Sequence, residues 1–483
     1  MLDITAINYG STAEGITWTN DYHGSRRYAA WHPGSNLPAP AYEGTVRNQN
    51  LHGTPASDMV IFSLPQYMAQ AQRIADMHAN SANPLDVAVV NVEDVYNEFA
   101  SGSADVMAMR KFLKMLHDRA QADGASKTVR FALLFGCVTY DNRHLSDVFT
   151  GSQGYPTIPS HMGGTRRQQL SDNESYNCDD MIGILADGSG KNLTTAKIDV
   201  AVGRIPARDL AQAKSTVDKL IQFNEKPKSG NWRNSMIFLA DDGDNGIHLS
   251  DTEKMIAELE ATPQQQTLIN KIYVDAYERI GGVTQLGRDQ MFRLLQEGVW
   301  WWNYSGHANN HSWTGEGMLT YNDINSMYLN RLPIICAATC DFLKWDSSVL
   351  SGGEILFNER YGGCIAMISA TRPVYISANG HFTRAMGRAI ASRDADGHLY
   401  RLGELYRLAK NDIRSEKGVP LSDDNRLRYV LMGDPAMMLP MPSDIVKIES
   451  IGGIPLTEEN QVTLGALRRT TIEGSVCSPD GKL

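Results

Sequence analysis

The chain has 483 residues, enough for about two to four domains with sizeable cores. Apolar residues make up 42% and charged residues 21%, an ordinary globular balance, and the net charge of −10 argues against a nucleic-acid partner, which would need a basic face. No apolar run reaches the ~18 residues of a membrane-spanning helix, and residues 1–15 show no basic start or apolar stretch that would read as a signal peptide.

In chain order, residues 1–50 are polar with scattered aromatics and read as the β-rich tail of a preceding domain. From residue 51 the pattern changes. DMVIFSLP reads as a strand, 66–79 as a helix, LDVAVVNVEDVY as a strand running into a loop, 104–122 as an amphipathic helix and VRFALLFG as a third strand. Residues 140–190 are loop-rich. IDVAVGRI (198–205) is strand-like, and a helix follows over 206–223 with Asp209 as its N-cap. Strands alternating with helices predict βαβ units and parallel sheets, here a first α/β subdomain over 51–230.

A second α/β subdomain is expected over 231–443. MIFLA is a strand that ends in Asp241-Asp242-Gly243-Asp244-Asn245-Gly246. A helix over 251–259, the strand INKIYVDAY and a helix over 287–295 come next. Two strongly apolar strands follow, VWWWNY (299–304) and LPIICAA (332–338). Beyond them lie a helix near 353–357, the strand CIAMISAT, helices over 380–392 and 402–410, and YVLMGDPAM. Residues 444–483 turn β-rich again and read as the start of an Ig-like β domain that is cut short.

The two apolar strands carry the chemistry. One runs out into Ser305-Gly306-His307, the other into Thr339-Cys340. Strands buried on both faces look like this, and in open α/β sheets the ligand crevice lies beyond their carboxyl ends. A thiol needs a base within reach to act as a nucleophile near neutral pH, so Cys340 is the candidate nucleophile and His307 the candidate base. His311 is a rival base, and His248 is placed to reach the same crevice. The other cysteines are dispersed, with no CxxC pair, and Cys137, Cys336 and Cys364 read as buried small hydrophobes. The 241–246 loop superficially resembles a calcium loop but lacks the later bidentate Glu of an EF-hand. Asp179, Asp180 and Asp199 read as solvated acidic loops. Gly203 reads as a close-packing glycine and Arg204 as a bridge to loop carbonyls or a carboxylate.

NYSGHANNHSW followed by IICAATCDF resembles the paired motifs of the gingipain-type cysteine peptidases, a family of the caspase-like clan. VGRIPARDLAQAKSTVDKLIQF, FLADDGDNG, MISATRPVY and YVLMGDPAM resemble further family segments in the same order. The resemblance spans roughly residues 58–440. It implies a caspase-like α/β fold and cysteine endopeptidase activity without a required cofactor, with structural calcium as a family option. It also implies Cys340 as nucleophile, His307 as general acid/base and Asp242 as the acidic group that orients the imidazole. Gly306, Ala308, Trp345 and Asp346 would then border the oxyanion hole and substrate pocket. The family has Gly after the catalytic His where this chain has Ala308, so a loop needing positive φ would be strained here.

Within the family, DVYNEFASGSADVMAMRKFLKMLHDRA and AATCDFLKWD most resemble the sortase branch of the type IX secretion system. That likeness implies cleavage of C-terminal sorting domains from secreted cargo at the cell surface, beside outer-membrane secretion components. Lipopolysaccharide would serve as a possible acyl acceptor. The alternatives are a freely acting secreted endopeptidase and a catalytically weakened surface scaffold.

Overall fold

The structure is a computed structural model. It describes residues 34, 36, 39, 41, 42, 44–125, 127–142, 156–164, 175–226, 228–261, 267–415, 417–422, 425–457 and 461–478. Two compact units divide the chain, 1–48 and 49–483. The described residues of the first carry no helix or strand, and most of the β-rich tail expected over 1–50 lies outside the described residues.

The second unit contains the strands β1 (Met59–Ser63), β2 (Val87–Asn91), β3 (Phe131–Phe135), β4 (His161–Gly163), β5 (Tyr176–Cys178), β6 (Ala201–Ile205), β7 (Ser235–Ala240) and β8 (Leu268–Tyr273). They are followed by β9 (Trp301–Ser305), β10 (Ile334–Ala338), β11 (Ala366–Ala370), β12 (Tyr429–Met432), β13 (Ile445–Ile451), β14 (Ile454–Pro455) and β15 (Ile472–Cys477). Ten of these form one sheet in the order β2-β1-β3-β6-β12-β11-β10-β9-β7-β8. The two predicted α/β halves therefore share a single sheet. β12 joins them, lying parallel to β6 and antiparallel to β11. Every other neighbouring pair in this sheet is parallel.

The central strands show why their sequences are continuous apolar runs. All residues of β1, β3, β6, β7, β9, β10, β11 and β12 are buried, so both faces of the sheet are covered along these strands. Trp300, Trp301 and Trp302 are wholly enclosed, beside Trp313 and Phe342. Residues 444–478 contribute the separate three-stranded sheet β14-β13-β15.

Local chemistry shifts some predicted boundaries. The strand read through residue 96 stops at Asn91, whose side chain accepts the N–H of Glu93 and starts a helix over Val92–Ala100. The helix predicted at 251–259 begins four residues earlier, at Ile247. Asp209 caps its helix as expected, accepting the N–H of Gln212 at 2.7 Å. Of the acidic loop residues of the first half, Asp179 and Asp180 are buried, not solvated, and Asp199 is half-buried. Asp179 makes a buried two-point pair with Arg204 at 2.7 and 2.8 Å, and Arg204 also donates to the carbonyls of Gly136, Cys137 and Ile158. Asp180 is buried against Lys410 and Tyr406. Asp199 accepts the N–H groups of Leu185 and Ala186. A buried carboxylate needs such partners, since its desolvation would otherwise cost several kcal/mol or protonate it.

Candidate active site

β9 and β10 are neighbours in parallel register, with Tyr304 opposite Ala337 and Ser305 opposite Ala338. His307 and Cys340 are each two residues beyond that last matched pair. Adjacent strands lie ~4.8 Å apart, so the register alone brings both residues out at the same place on the carboxyl edge of the sheet. β7 flanks β9 on the far side, with Ala240 opposite Ser305. The acidic loop 241–246 therefore leaves the sheet beside His307.

This loop divides its three aspartates among three tasks. Asp241 is buried. Its Oδ2 accepts the backbone N–H of His307 at 2.8 Å and the Tyr304 hydroxyl at 3.3 Å, and its Oδ1 accepts the N–H of Asp242 at 3.1 Å. Burial pushes the Asp241 carboxyl above its usual range, against these bonds. Asp242, the expected partner of the imidazole, faces elsewhere and pairs with Arg279, which also holds Glu316 at 2.7 Å. Asp244 takes the imidazole instead, with Oδ2 2.5 Å from His307 Nε2. That contact holds the Asp244 carboxyl below its usual range. The change follows from backbone shape: Gly243, Asp244, Asn245 and Gly246 all have positive φ, which turns Asp244 back over the strand ends.

The same Asp244 oxygen lies 3.2 Å from Nε2 of His248, and the two imidazole rings meet edge to face with centroids 5.3 Å apart. His248 thus does reach the crevice. His311 does not, since its Nε2 bonds the carbonyl of Leu350 at 3.0 Å.

Cys340 is half-buried, whereas the other five cysteines are buried and all six are unpaired thiols. Its Sγ accepts the Val374 N–H at 3.4 Å and lies 3.5 Å from the Val374 carbonyl. Burial pushes the Cys340 thiol up, and the Val374 N–H opposes this only in part. The imidazole Nε2 rests on Asp244 and the thiol on Val374, so the two groups emerge at the same sheet edge without bonding each other. Asp341 takes φ +56° and turns the chain sharply out of the strand.

Ala308 settles the question raised by its missing glycine. It is not among the residues with positive φ, so its methyl group costs no backbone strain. It pairs with Trp313 in an isolated antiparallel bridge that leaves its own N–H pointing away from the pair. Among the described residues, neither the Ala308 nor the Cys340 N–H has a protein acceptor, so both are available to an oxygen anion. Gly306 has a different task from the expected one. Its N–H goes to the Ala338 carbonyl at 3.4 Å, and a Cβ there would sit 2.3 Å from Asp241 Cβ. Trp345 and Asp346 do not border an open pocket. Both are enclosed, Trp345 against the Arg204 guanidinium and Asp346 in a two-point pair with Arg372 at 2.9 and 2.6 Å, with Asn177 donating as well. The apolar strand end buries this region, and only paired polar groups are stable there.

The carboxylate group Asp241–Asp242–Glu316 has oxygen ligands of the kind calcium takes, but the Arg279 guanidinium already neutralises two of the three, so these residues do not fit the ion.

A model of peptidase family C25 matches residues 52–440. No curated protein matches the chain. Among solved structures, the Arg-specific cysteine proteinase gingipain R (RgpB) is 15% identical with a TM-score of 0.57, covering 81% of each chain. The complex of Porphyromonas gingivalis RgpB pro- and mature domains is 16% identical with a TM-score of 0.58, covering 81% of this chain and 82% of that one. Dimeric latent PorU from Porphyromonas gingivalis is 25% identical with a TM-score of 0.50, covering 92% of this chain and 36% of that one. With the α/β sheet and the family match spanning most of the residues, the chain belongs to peptidase family C25, a family of cysteine endopeptidases.

Proposed function

We propose that Cys340 is the nucleophile and His307 the proton carrier of a cysteine endopeptidase that removes C-terminal sorting domains from secreted proteins at the cell surface. The observation that carries this reading is the β9–β10 register. It sets the two residues level at one sheet edge, with two unpaired N–H groups, Cys340 and Ala308, beside them. In this scheme the scissile carbonyl lies between thiol and imidazole. Sγ bonds to the carbonyl carbon while the thiol proton passes to His307. The resulting oxyanion takes the two N–H bonds, an interaction worth roughly 3 kcal/mol per donor in comparable sites. The C–N bond then breaks as His307 returns the proton to the leaving amine, leaving a thioester on Cys340. Asp244 orients the ring and stabilises its cationic form throughout. Water or an amine attacks the thioester, His307 takes the nucleophile's proton, and Sγ leaves.

The finer assignment, a sortase that hands the new C-terminus to an amine such as one on lipopolysaccharide beside outer-membrane secretion components, is supported by the likeness to PorU. A model cargo with a C-terminal sorting domain, incubated with the protein and a soluble amine, tests it by mass spectrometry of the new terminus. The expected product has lost the domain and gained the amine. A free carboxyl terminus would leave a plain endopeptidase. Processing that persists in Cys340→Ala would remove the whole proposal.

A further inference from the structure

We propose that Asp244, His248 and His307 form a binding site for a transition-metal ion, zinc above others, which switches the enzyme off by taking the imidazole away from proton transfer. The regulatory half of this statement rests on the proposed peptidase chemistry. The metal site itself does not.

Two imidazole nitrogens converge on one carboxylate oxygen. Asp244 Oδ2 is 2.5 Å from His307 Nε2 and 3.2 Å from His248 Nε2, and the three candidate ligand atoms all lie within 4.8 Å of one another. Zinc bonds of about 2.0–2.2 Å in a tetrahedron place donor atoms roughly 3.3 Å apart. The Asp244–His248 separation already meets that spacing. The Asp244–His307 pair needs to open by less than about 1 Å. His307 can supply the movement, because its side chain is 61% exposed, whereas His248 is 5% exposed and fixed in the first turn of the helix Ile247–Glu260. One anchored imidazole, one mobile imidazole and one carboxylate leave a fourth position open to water, the ligand count of an accessible zinc centre.

The donor types select the metal. Imidazole nitrogen suits zinc, copper and nickel, whereas calcium and magnesium take oxygen. Among the described residues, two other groups gather possible ligands. Asp241–Asp242–Glu316 is filled by Arg279. In Asp394–Asp396–His398, Oδ1 of Asp394 already accepts two backbone N–H groups, from Asp396 and His398. Neither has two imidazoles.

A metal bound here displaces the Nε2 proton that Asp244 holds and leaves the ring's remaining proton on Nδ1, so the imidazole can no longer take up the thiol proton. The thiol takes no part, since Sγ rests on the Val374 backbone on the β11 side of the sheet edge while Asp244 and His248 come from the β7 side. The site therefore differs from one in which a metal bridges thiolate and imidazole.

The test is calorimetric titration of the chelator-treated full chain with zinc chloride, with cobalt(II) absorption as a second readout. One zinc per chain is expected, with tetrahedral cobalt bands. His248→Gln, His248→Ala and Asp244→Asn should each weaken binding at least tenfold, with folding checked by circular dichroism. Cys340→Ala and Asp394→Asn should bind like the parent. Zinc binding that survives both His248 variants, or that disappears in Cys340→Ala, would overturn the site. On a cleavable peptide, zinc should inhibit the parent, and His248→Gln should need at least tenfold more zinc for the same inhibition. Equal sensitivity of the two would overturn the switch. Zinc bound as described to a chain that cleaves nothing would keep the site and remove the peptidase reading instead.

Discussion

Oδ2 of Asp244 lies 2.5 Å from Nε2 of His307, while Asp242, two residues earlier, is turned away onto Arg279. The carboxylate that meets the imidazole is therefore the third aspartate of the loop. Partners of this kind are worth about 10- to 10⁴-fold in kcat when they hold a catalytic imidazole's tautomer and direction. Asp244→Asn is expected to lower kcat by about that factor, and Asp242→Asn by less than about threefold. Steady-state kinetics on a cleavable peptide decides between them, and equal losses would place the orienting role elsewhere.

Burial raises the Cys340 thiol, which favours its neutral form in the substrate-free protein. The thiolate fraction at pH 7 then falls below that of an ordinary cysteine, whose pKa is about 8.5. Alkylation of Cys340 by iodoacetamide in the substrate-free protein should rise with pH to a midpoint above that value. The sign for stability follows from linkage. A raised acid favours folding below its unfolded pKa, and that contribution is lost as pH rises through the folded pKa. Cys340→Ala should therefore show a smaller loss of stability than the parent across the alkaline range. An alkylation midpoint near pH 6 would contradict the burial argument.

The two residues flanking His307 respond oppositely to substitution. Ala308→Gly restores the family residue, but the native φ is already negative, so glycine only loosens the chain. Activity is expected within about threefold of the parent, with stability lower by roughly 0.5–1 kcal/mol. Gly306→Ala forces a methyl group to within 2.3 Å of Asp241 Cβ and 2.5 Å of the Tyr304 hydroxyl. That shifts the segment whose N–H Asp241 holds, and peptidase activity should drop more than about tenfold. A large gain of activity in Ala308→Gly would show that the loop is strained after all.

Asp346 and Arg372 form an ion pair with side chains 0% and 1% exposed. Removing one partner strands the other, which costs about 3–5 kcal/mol in such pairs. Asp346→Ala and Arg372→Ala are each expected to lower the urea midpoint accordingly. Were Asp346 a substrate ligand, Asp346→Asn would raise KM with little change in stability.

Much of this was readable because burial writes itself into sequence. A strand enclosed on both faces must be apolar throughout, so β9 and β10 stood out, and each ended in one reactive side chain. Asp209 was legible as a cap for an equally local reason. Asp244 was not. DDGDNG offers three carboxylates within four positions, and no period or spacing ranks them. Their order of use depends on four successive positive-φ residues and on Arg279, which arrives from the chain beyond β8. Nothing local marks Asp346 as enclosed, because Arg372 and Asn177, which bury and neutralise its carboxylate, are distant in sequence.

The amino-acid sequence by itself determined the strands, the βαβ alternation and the placement of Cys340 and His307 just beyond two apolar strands, because hydrophobic burial and chain-local capping are properties of short stretches. Only the tertiary structure decided that two α/β halves share one sheet through β12, that Asp244 and not Asp242 meets His307, and that His248 joins them. These outcomes depend on which distant groups compete for a charge and on where a loop turns. Both are set by packing across the fold, beyond the reach of any local pattern.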